Sequence, residues 1–147
     1  MGKKSNILLA LILIAAIGVF VTYKFIFKAN DDLSNVKPSS SFSFGTLMDK
    51  TVNDTSSLHE LNYKVVAVTG NLLKMSKDST STTLEIGETN SNSSIICQID
   101  PRYLNDFSNV KEGDSLNIKG KIAGFTIDTD LGLGNTIQMI FCVKNNP

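Results

Sequence analysis

The sequence predicts a small, mainly β domain with a five-stranded barrel, carried behind an N-terminal membrane helix. Three observations predict it. An uncharged apolar stretch lies near the N-terminus, five later segments alternate apolar and polar residues, and one short helical segment separates the third of these from the fourth. With 147 residues in all, the chain has room for one domain besides the helix.

The first and longest predicted strand spans residues 64–75, KVVAVTGNLLKM. Val66, Val68 and Leu72 fall on one side of it, and Gly70 lies between them in the same phase, which is the pattern of a half-buried strand. A glycine inside a strand commonly marks a bend, a bulge or the close approach of another segment. We expect such a point where this strand curls to close the barrel.

Two further strands and a short helix follow. Residues 81–88 alternate apolar and polar side chains and predict the second strand, and residues 93–99 predict the third. Asp100 and Pro101 then supply an N-cap residue and a first-turn proline, which predict a short helix. The apolar side of this helix, expected to plug one end of the barrel, consists of Tyr103, Leu104 and Phe107.

The last two predicted strands lie within residues 111–125 and 137–143. The first of them follows a tight turn at residues 112–114, and its alternation is the most regular in the chain. Alternation in the second predicts that Phe141 points inward and Cys142 outward. The order of three strands, a helix and two strands is that of the OB fold, a five-stranded, partly open Greek-key barrel.

The N-terminal stretch predicts a transmembrane helix. Residues 7–23 carry no charge, and extension to residue 27 gives twenty-one residues, which as a helix measure about 31 Å, close to the thickness of a bilayer's hydrocarbon core. A cleaved signal peptide is the alternative, but bulky residues follow the apolar stretch where a cleavage site needs small ones. Residues 1–28 are therefore predicted to be an uncleaved anchor.

Positive charges at the two ends of this helix predict its orientation. Lys3, Lys4 and the amino terminus precede it, whereas only Lys24 and Lys28 lie at its other end. Because the end with more positive charge stays in the cytoplasm, we expect the N-terminus inside and the domain on the extracytoplasmic side of a single-pass membrane protein.

Between the anchor and the barrel the chain is first polar and then amphipathic. Residues 29–43 contain Pro38 and a run of serines without periodicity, which predict a linker. Residues 44–147 then form the domain, beginning with a short amphipathic helix that either docks on the barrel or offers a groove to a partner. The apolar face of this helix consists of Phe44, Leu47, Met48, Thr51 and Val52.

Three segments of the predicted barrel resemble the tRNA-anti-like family of OB-fold domains. They are KVVAVTG at residues 64–70, CQI at residues 97–99 and EGDSLNIKGKIAGF at residues 112–125. The resemblance covers roughly residues 47–143, and it implies a bacterial OB-fold domain carried behind a signal or a transmembrane helix. Its motifs are structural glycines and apolar positions, which specify a fold rather than a ligand.

The two cysteines, Cys97 and Cys142, match cysteine positions of that family, whereas Ile122 stands where the family often has a further cysteine. The resemblance therefore implies no pairing through the fourth strand. The predicted phases point Cys97 inward and Cys142 outward, which disfavours a disulfide because its Cβ atoms must lie about 4 Å apart. Since the third and fifth strands can be neighbours in this fold, a disulfide and two packed free thiols both stay open.

OB folds bind ligands on the face of their second and third strands, rimmed by the loops after the first and the fourth strand. Here those loops are residues 77–80 and 126–135. Two lysines on the fourth strand add a small basic patch to the outside of the barrel. The candidate ligand-face residues are Thr83, Glu85, Ile96 and Gln98 on the second and third strands, and Lys119 and Lys121 on the fourth.

Composition makes nucleic acid the less favoured ligand. The second and third strands contain no aromatic residue for base stacking, and Arg102 is the only arginine among fourteen basic residues. From Glu60 to the end of the chain, eight basic residues stand against ten acidic ones, so no positive field attracts a polyanion. We expect a protein or a glycan partner, with tRNA or another oligonucleotide as the alternative.

No catalytic, metal or cofactor site is predicted. His59 is the only histidine, and the sequence gives it no partners for a triad or a metal site. Asp128, Asp130 and Gly132 resemble the start of a calcium loop, but the distant bidentate glutamate does not follow. The expected function is that of a non-enzymatic, membrane-anchored binding or assembly module without a cofactor.

Overall fold

The computed structural model describes residues 13–14, 17–20, 22, 32–128, 132 and 134–145. The chain divides into two units, Met1–Asp31 and Asp32–Pro147. In the first unit the described residues are helical, and Thr22 Oγ1 donates a hydrogen bond to Gly18 O at 2.7 Å. Most of the predicted anchor lies outside the described residues, and within them no helix is long and apolar enough to cross a bilayer.

The second unit is a β-barrel with three short helical segments. Its class is mainly β, as predicted, and the five predicted strands correspond to β2 to β6. In chain order the elements are β1 (Ser40–Ser43), α1 (Phe44–Asn53), α2 (Thr55–Glu60), β2 (Val65–Lys77), β3 (Thr82–Gly87), β4 (Ser94–Ile99), a 3₁₀ helix (Pro101–Phe107), β5 (Ser115–Thr126) and β6 (Thr136–Lys144).

The long strand β2 closes the barrel because it pairs with two other strands. Its first half, residues 65–71, pairs antiparallel with β5, and its second half, residues 71–77, pairs antiparallel with β3. The order around the barrel is β2, β3, β4, β6, β5 and back to β2. Only the neighbours β4 and β6 run parallel within this ring. The predicted five-stranded barrel is thereby confirmed.

Gly70 lies where β2 changes its partner, and the space beside it has no room for a side chain. A Cβ atom there would lie 2.6 Å from Ile86 Cγ2 and 3.2 Å from Phe44 Cβ. The glycine therefore permits a close approach, since α1 begins against it. The bulge of β2 lies further on, between Leu72 and Lys74, and it leaves Leu72 in the core while Lys74 is exposed.

A hydrophobic core fills the barrel and receives both α-helices. Leu47 of α1 and Leu58 of α2 are fully buried in it, so α1 docks on the barrel, which was one of its two predicted roles. Val52, however, is 70% exposed, and its predicted place on the buried face is wrong. At about 100° per residue, Val52 points roughly 80° away from Phe44 and so leaves the buried stripe.

The segment after Asp100 adopts a narrower helix than predicted, with about three residues per turn. Asp100 caps it, since its Oδ1 accepts the backbone N–H of Arg102 at 3.0 Å. Of the three apolar residues expected to plug the barrel, Phe107 enters the core, whereas Tyr103 is half-buried and Leu104 is 37% exposed. The three residues do not share one face because the helix is kinked at Tyr103, whose φ and ψ are not helical.

The segment before α1 differs from the predicted linker over the part that the structure describes. β1 pairs parallel with β2, with Ser40 opposite Val66, and Leu33 is 3% exposed. β1 occupies an edge of β2 that the short β3 does not reach. The sequence gives little sign of this strand because Phe42 is its one apolar residue, and a single apolar residue shows no alternation. We call residues 32–39 the strap.

A bulge in β6 reverses the predicted phase of its last residues. The register with β5 shifts at Gly120, so two residues of β6 lie opposite one residue of β5. Phe141 has a positive φ of 54° at this point. Cys142 consequently turns into the core, and its predicted outward position is wrong. A Cβ atom at Gly120 would lie 2.6 Å from Cys142 Sγ, so the glycine makes room for the thiol.

Both cysteines are buried, and both are free thiols. Cys97 is 1% exposed and points inward as predicted, and Cys142 is 0% exposed. Burial raises the pKa of the Cys142 thiol well above its ordinary value, and the neighbouring Cys97 raises it further. A thiol held in this neutral form is a weak nucleophile, so the structure gives these cysteines a packing role.

The contact at Gly70 generates a first prediction. Gly70→Val should lower the free energy of unfolding by about 1–3 kcal/mol, because a branched side chain would overpack the space between Ile86 and Phe44. Thermal unfolding of the full chain in detergent measures it. Gly124→Val is the matched control, since a Cβ atom at Gly124 meets nothing within 4 Å. Equal melting temperatures for the two variants would contradict the structural role of Gly70.

Candidate functional site

The outward surface of β3, β4 and β6 forms one continuous face, which we call the outer face. The pairing of these strands places their outward side chains in rows that run across the sheet. Thr83 lies opposite Gln98, Glu85 lies opposite Ile96, and Ile96 in turn lies opposite Gln138. Because β4 and β6 are parallel neighbours, residues more than thirty positions apart in sequence meet on this face.

A pocket of about 230 Å³ lies on the outer face. Among the described residues that line it, the polar groups are two side-chain hydroxyls and two side-chain amides, and none of these residues is charged. The apolar part comes from two isoleucines and from Met139, which is 1% exposed. The lining consists of Ser81, Thr83, Ile96, Gln98, Gln138, Met139 and Ile140.

Five of the six candidate residues predicted from the sequence lie in or beside this pocket. Thr83, Ile96 and Gln98 line it. Glu85 lies in the same row as Ile96, directly beside it, and the exposed Lys74 of β2 faces Glu85 on its other side. Lys121 is half-buried and stands at the opposite border of the face, in register with Ile140. The structure therefore brings the predicted polar residues together and places the charges around them.

Lys119, the sixth candidate, is not part of this site. Its side chain lies on the outer side of β5, as predicted. It is nevertheless only 6% exposed, because the strap covers that part of the barrel. Its Nζ donates hydrogen bonds to Ser34 O at 2.7 Å and to Val36 O at 3.1 Å. The predicted basic patch of two exposed lysines is therefore wrong, and Lys119 binds the chain's own backbone.

Sequence reasoning missed Ser81, Gln138 and Ile140, and it also missed the buried Met139 as a lining residue. A signal for two of them was present, because the third and fifth strands of this fold can be neighbours. Once β6 is set beside β4, its outward residues must join the same face. Ser81 lies in a loop, and the alternation of apolar residues does not predict the conformation of a loop.

An aspartate turn holds Ser81 at the edge of the pocket. Asp78 Oδ1 accepts the backbone N–H groups of Thr80 and Ser81, each at 2.7 Å. These bonds, that of Thr80 first, lower the pKa of the Asp78 carboxyl to about 2, because they favour its charged form. The loop between β2 and β3 is therefore closed by its own side chain and borders one end of the outer face.

Asn135 anchors the start of β6 at the other end of the face. It is 7% exposed; its Nδ2 donates to Thr51 Oγ1 at 2.5 Å, and its backbone N–H donates to Ser93 Oγ at 2.8 Å. Asn135 thus joins the loop after β5 to α1 through its side chain and to the residue before β4 through its backbone. Asn135 Oδ1 also accepts the backbone N–H of Asp128 at 3.0 Å.

Among the described residues, no cluster of three or more histidine, cysteine, aspartate and glutamate side chains has the arrangement of a metal site. Asp130 of the weighed calcium loop lies outside them. His59 is exposed, and its ring packs edge-on against Phe125 with the ring centroids 4.8 Å apart. The described residues that line the pocket on the outer face offer neutral hydrogen-bonding groups and apolar contact, and the charged Glu85 and Lys121 stand beside them.

No protein-family model matches the sequence, and no curated protein matches it either. The resemblance to the tRNA-anti-like family is therefore not confirmed. Among solved structures, the chain is similar to a putative nucleic acid-binding lipoprotein from Klebsiella pneumoniae, with a TM-score of 0.57 and 10% identity. The match covers 72% of this chain and 91% of that one.

The domain has the OB fold. Two weaker similarities are to tRNA synthetases. A putative aspartyl-tRNA synthetase from Leishmania major matches with a TM-score of 0.43 and 7% identity over 75% of this chain and 21% of that one. Asparaginyl-tRNA synthetase from Entamoeba histolytica matches with a TM-score of 0.40 and 15% identity over 76% and 25%. At these identities the likeness concerns the fold, and the ligand must be argued from the side chains.

The hydrogen bonds between the buried Lys119 amine and the strap lead to a second prediction. Lys119→Met should loosen the strap, because methionine packs along the same path but leaves the carbonyl groups of Ser34 and Val36 without their donor. Hydrogen exchange of the strap amides, read by mass spectrometry of peptides, should speed up tenfold or more, whereas the amides of β4 keep their protection.

Lys74→Met is the matched control, because Lys74 is exposed on β2. If the strap amides exchange equally fast in both variants, Lys119 does not hold the strap.

Proposed function

We propose that the protein is a non-enzymatic binding module that is anchored in a membrane by its N-terminal segment and binds its ligand on the outer face. The observation that carries the proposal is the pocket on β3, β4 and β6, lined by hydroxyl, amide and aliphatic side chains. Such a mixture of apolar lining and a few convergent polar groups is typical of binding sites.

The side chains around the pocket support binding rather than catalysis. None of the described lining residues carries a group that ionises near neutral pH, so these side chains supply no general acid or base. Ser81 Oγ donates a hydrogen bond to Asp78 Oδ2 at 3.1 Å, but the pKa of that carboxyl is lowered to about 2. Asp78 is therefore a weak base, and an unactivated hydroxyl is a poor nucleophile.

The sequence supports the anchor and its orientation. Residues 7–27 have the length and the apolar character of a membrane-spanning helix, and the flanking lysines favour an N-terminus in the cytoplasm. The barrel unit begins at Asp32, soon after this stretch ends. The domain would thus bind its ligand on the extracytoplasmic side of the membrane.

An oligonucleotide is the second candidate ligand. The fold likeness to a protein named as a putative nucleic acid-binding lipoprotein and the two lysines beside the pocket, Lys74 and Lys121, favour it. Against it stand the absence of aromatic and arginine side chains from the lining and the carboxylate of Glu85 on the same face. We therefore place it after a protein or glycan ligand.

Photo-crosslinking tests the proposal in the membrane of expressing cells. A benzophenone amino acid in place of Gln98 in the full chain should form an adduct, because Gln98 lines the pocket. The same amino acid in place of Val52, which is 70% exposed on α1, is the control and should form none. Gly124→Arg, opposite Gln138 in register, should reduce the adduct at Gln98 because it covers the face without a clash.

Either of two results would contradict the proposal. They are the lack of an adduct at Gln98 and equal adducts at both positions. An adduct at Gln98 that nuclease removes would make the oligonucleotide the ligand.

A further inference from the structure

The two glutamines of the chain, Gln98 and Gln138, line the same pocket from adjacent parallel strands. Each amide offers one oxygen that accepts and one nitrogen that donates, and the hydroxyl of Thr83 does both as well. The hydroxyl of Ser81 donates to Asp78 Oδ2 at 3.1 Å and can still accept. Within the described part of the chain, no hydrogen bond to another protein group engages either amide. A matching ligand needs closely spaced groups that both donate and accept, as hydroxyl groups do.

The charges around the pocket favour a neutral ligand. No charged residue is among the described residues that line it. Glu85 stands beside Ile96 of the lining and faces Lys74 across β3 and β2, so their charges offset one another at a distance. Lys121 stands at the other border, and the carboxylate of Asp78 borders the end of the face at Ser81. A polyanion gains little from one lysine and is repelled by Glu85.

The architecture of the face disfavours a peptide. Peptides are recognised by adding a strand to an open sheet edge, by a groove for a helix, by aromatic residues around a proline-rich segment or by arginine clusters. β3, β4 and β6 each pair with a neighbour on both sides, so the face has no open edge. The part of its lining that the structure describes contains neither an aromatic residue nor an arginine.

A second pocket adjoins the first and points to an elongated ligand. It measures about 120 Å³ and shares Ser81 with the larger pocket. Hydroxyls of Ser79 and Thr80 and the apolar side chains of Pro101 and Leu104 line it, together with one residue of each charge, Lys77 and Asp78. Two adjoining pockets, each with hydroxyls beside apolar carbon, suit two successive rings of a sugar chain.

On these grounds, and resting on the proposed function of the outer face, we infer that the ligand is a neutral oligosaccharide. One ring lies against Ile96 and Ile140 between the two glutamine amides, and the next extends past Ser81 toward Leu104. The isoleucines contact the carbon–hydrogen faces of the ring, and the amides bind its hydroxyl groups.

The experiment identifies what is captured. In the full chain in its membrane, the benzophenone amino acid replaces Gln138, and the adduct is released and weighed by mass spectrometry. We expect carbohydrate masses. In the same chain, Gln98→Glu should lower the adduct yield about tenfold, because a carboxylate has nearly the same shape but donates no hydrogen bond and adds a charge. Asn53→Asp, the same chemical change at an exposed site on α1, should leave the yield unchanged.

The outcomes separate this inference from the proposed function. An adduct that consists of peptide or nucleotide overturns the sugar ligand but leaves a binding module on the outer face. No adduct at Gln138 and none at Gln98 refutes both. A carbohydrate adduct whose yield is equal in Gln98→Glu and Asn53→Asp shows that the amide does not bind the sugar, and so overturns the assigned contacts.

Discussion

The two-sided pairing of β2 is the constraint on which the rest of the structure depends. Its first half pairs with β5 and its second half with β3, and Asn71 is the residue that pairs with both. The strand can change partner because Gly70 lets α1 and Ile86 approach its backbone. Closure on β2 forces β6 between β5 and β4, and this placement assembles the outer face. The short β3 also leaves the edge of β2 that β1 occupies.

The part of this architecture that follows from alternation was predictable from the sequence. Five strands, the helix between the third and the fourth, and the buried side of β2 up to Leu72 all follow from residues two positions apart. Alternation fails where an extra residue enters a strand. Bulges lie after Leu72, at Ala123 and at Phe141, and each reverses the side of the sheet to which the following residues point. The bulge at Phe141 is the reason why Cys142 is buried against expectation. A bulge is decided by the partner strand, and a single sequence does not show that partner.

Two other differences have the same origin in tertiary contacts. Lys119 has the outward phase that its sequence position predicts, yet it is buried because the strap lies over it. The sequence of the strap has the composition of a polar linker, since its serine and asparagine residues give no pattern of apolar positions. Thr83, Ile96 and Gln98 were predictable as site residues from their strands alone. Gln138 and Ile140 required knowledge of which strands are neighbours.

The OB fold occurs in proteins with unlike ligands, so the fold alone does not choose among them. In this chain the choice comes from the side chains that the register gathers. They are neutral, they combine amides with hydroxyls, and they lie beside aliphatic carbon. A basic, aromatic face would have argued for nucleic acid on the same backbone. The interpretation therefore depends on the pairing of β4 with β6 more than on any single residue.

The most direct test of this account is the set of proton–proton nuclear Overhauser effects in the isotope-labelled full chain. Closure predicts that Asn71 shows cross-strand effects to both Gly87 and Ser115, and the outer face predicts an effect between Ile96 and Gln138. Effects from Asn71 to only one of its two partners would mean an open sheet. No effect between Ile96 and Gln138 would mean that the two glutamines do not share a face, and the proposed site would not exist.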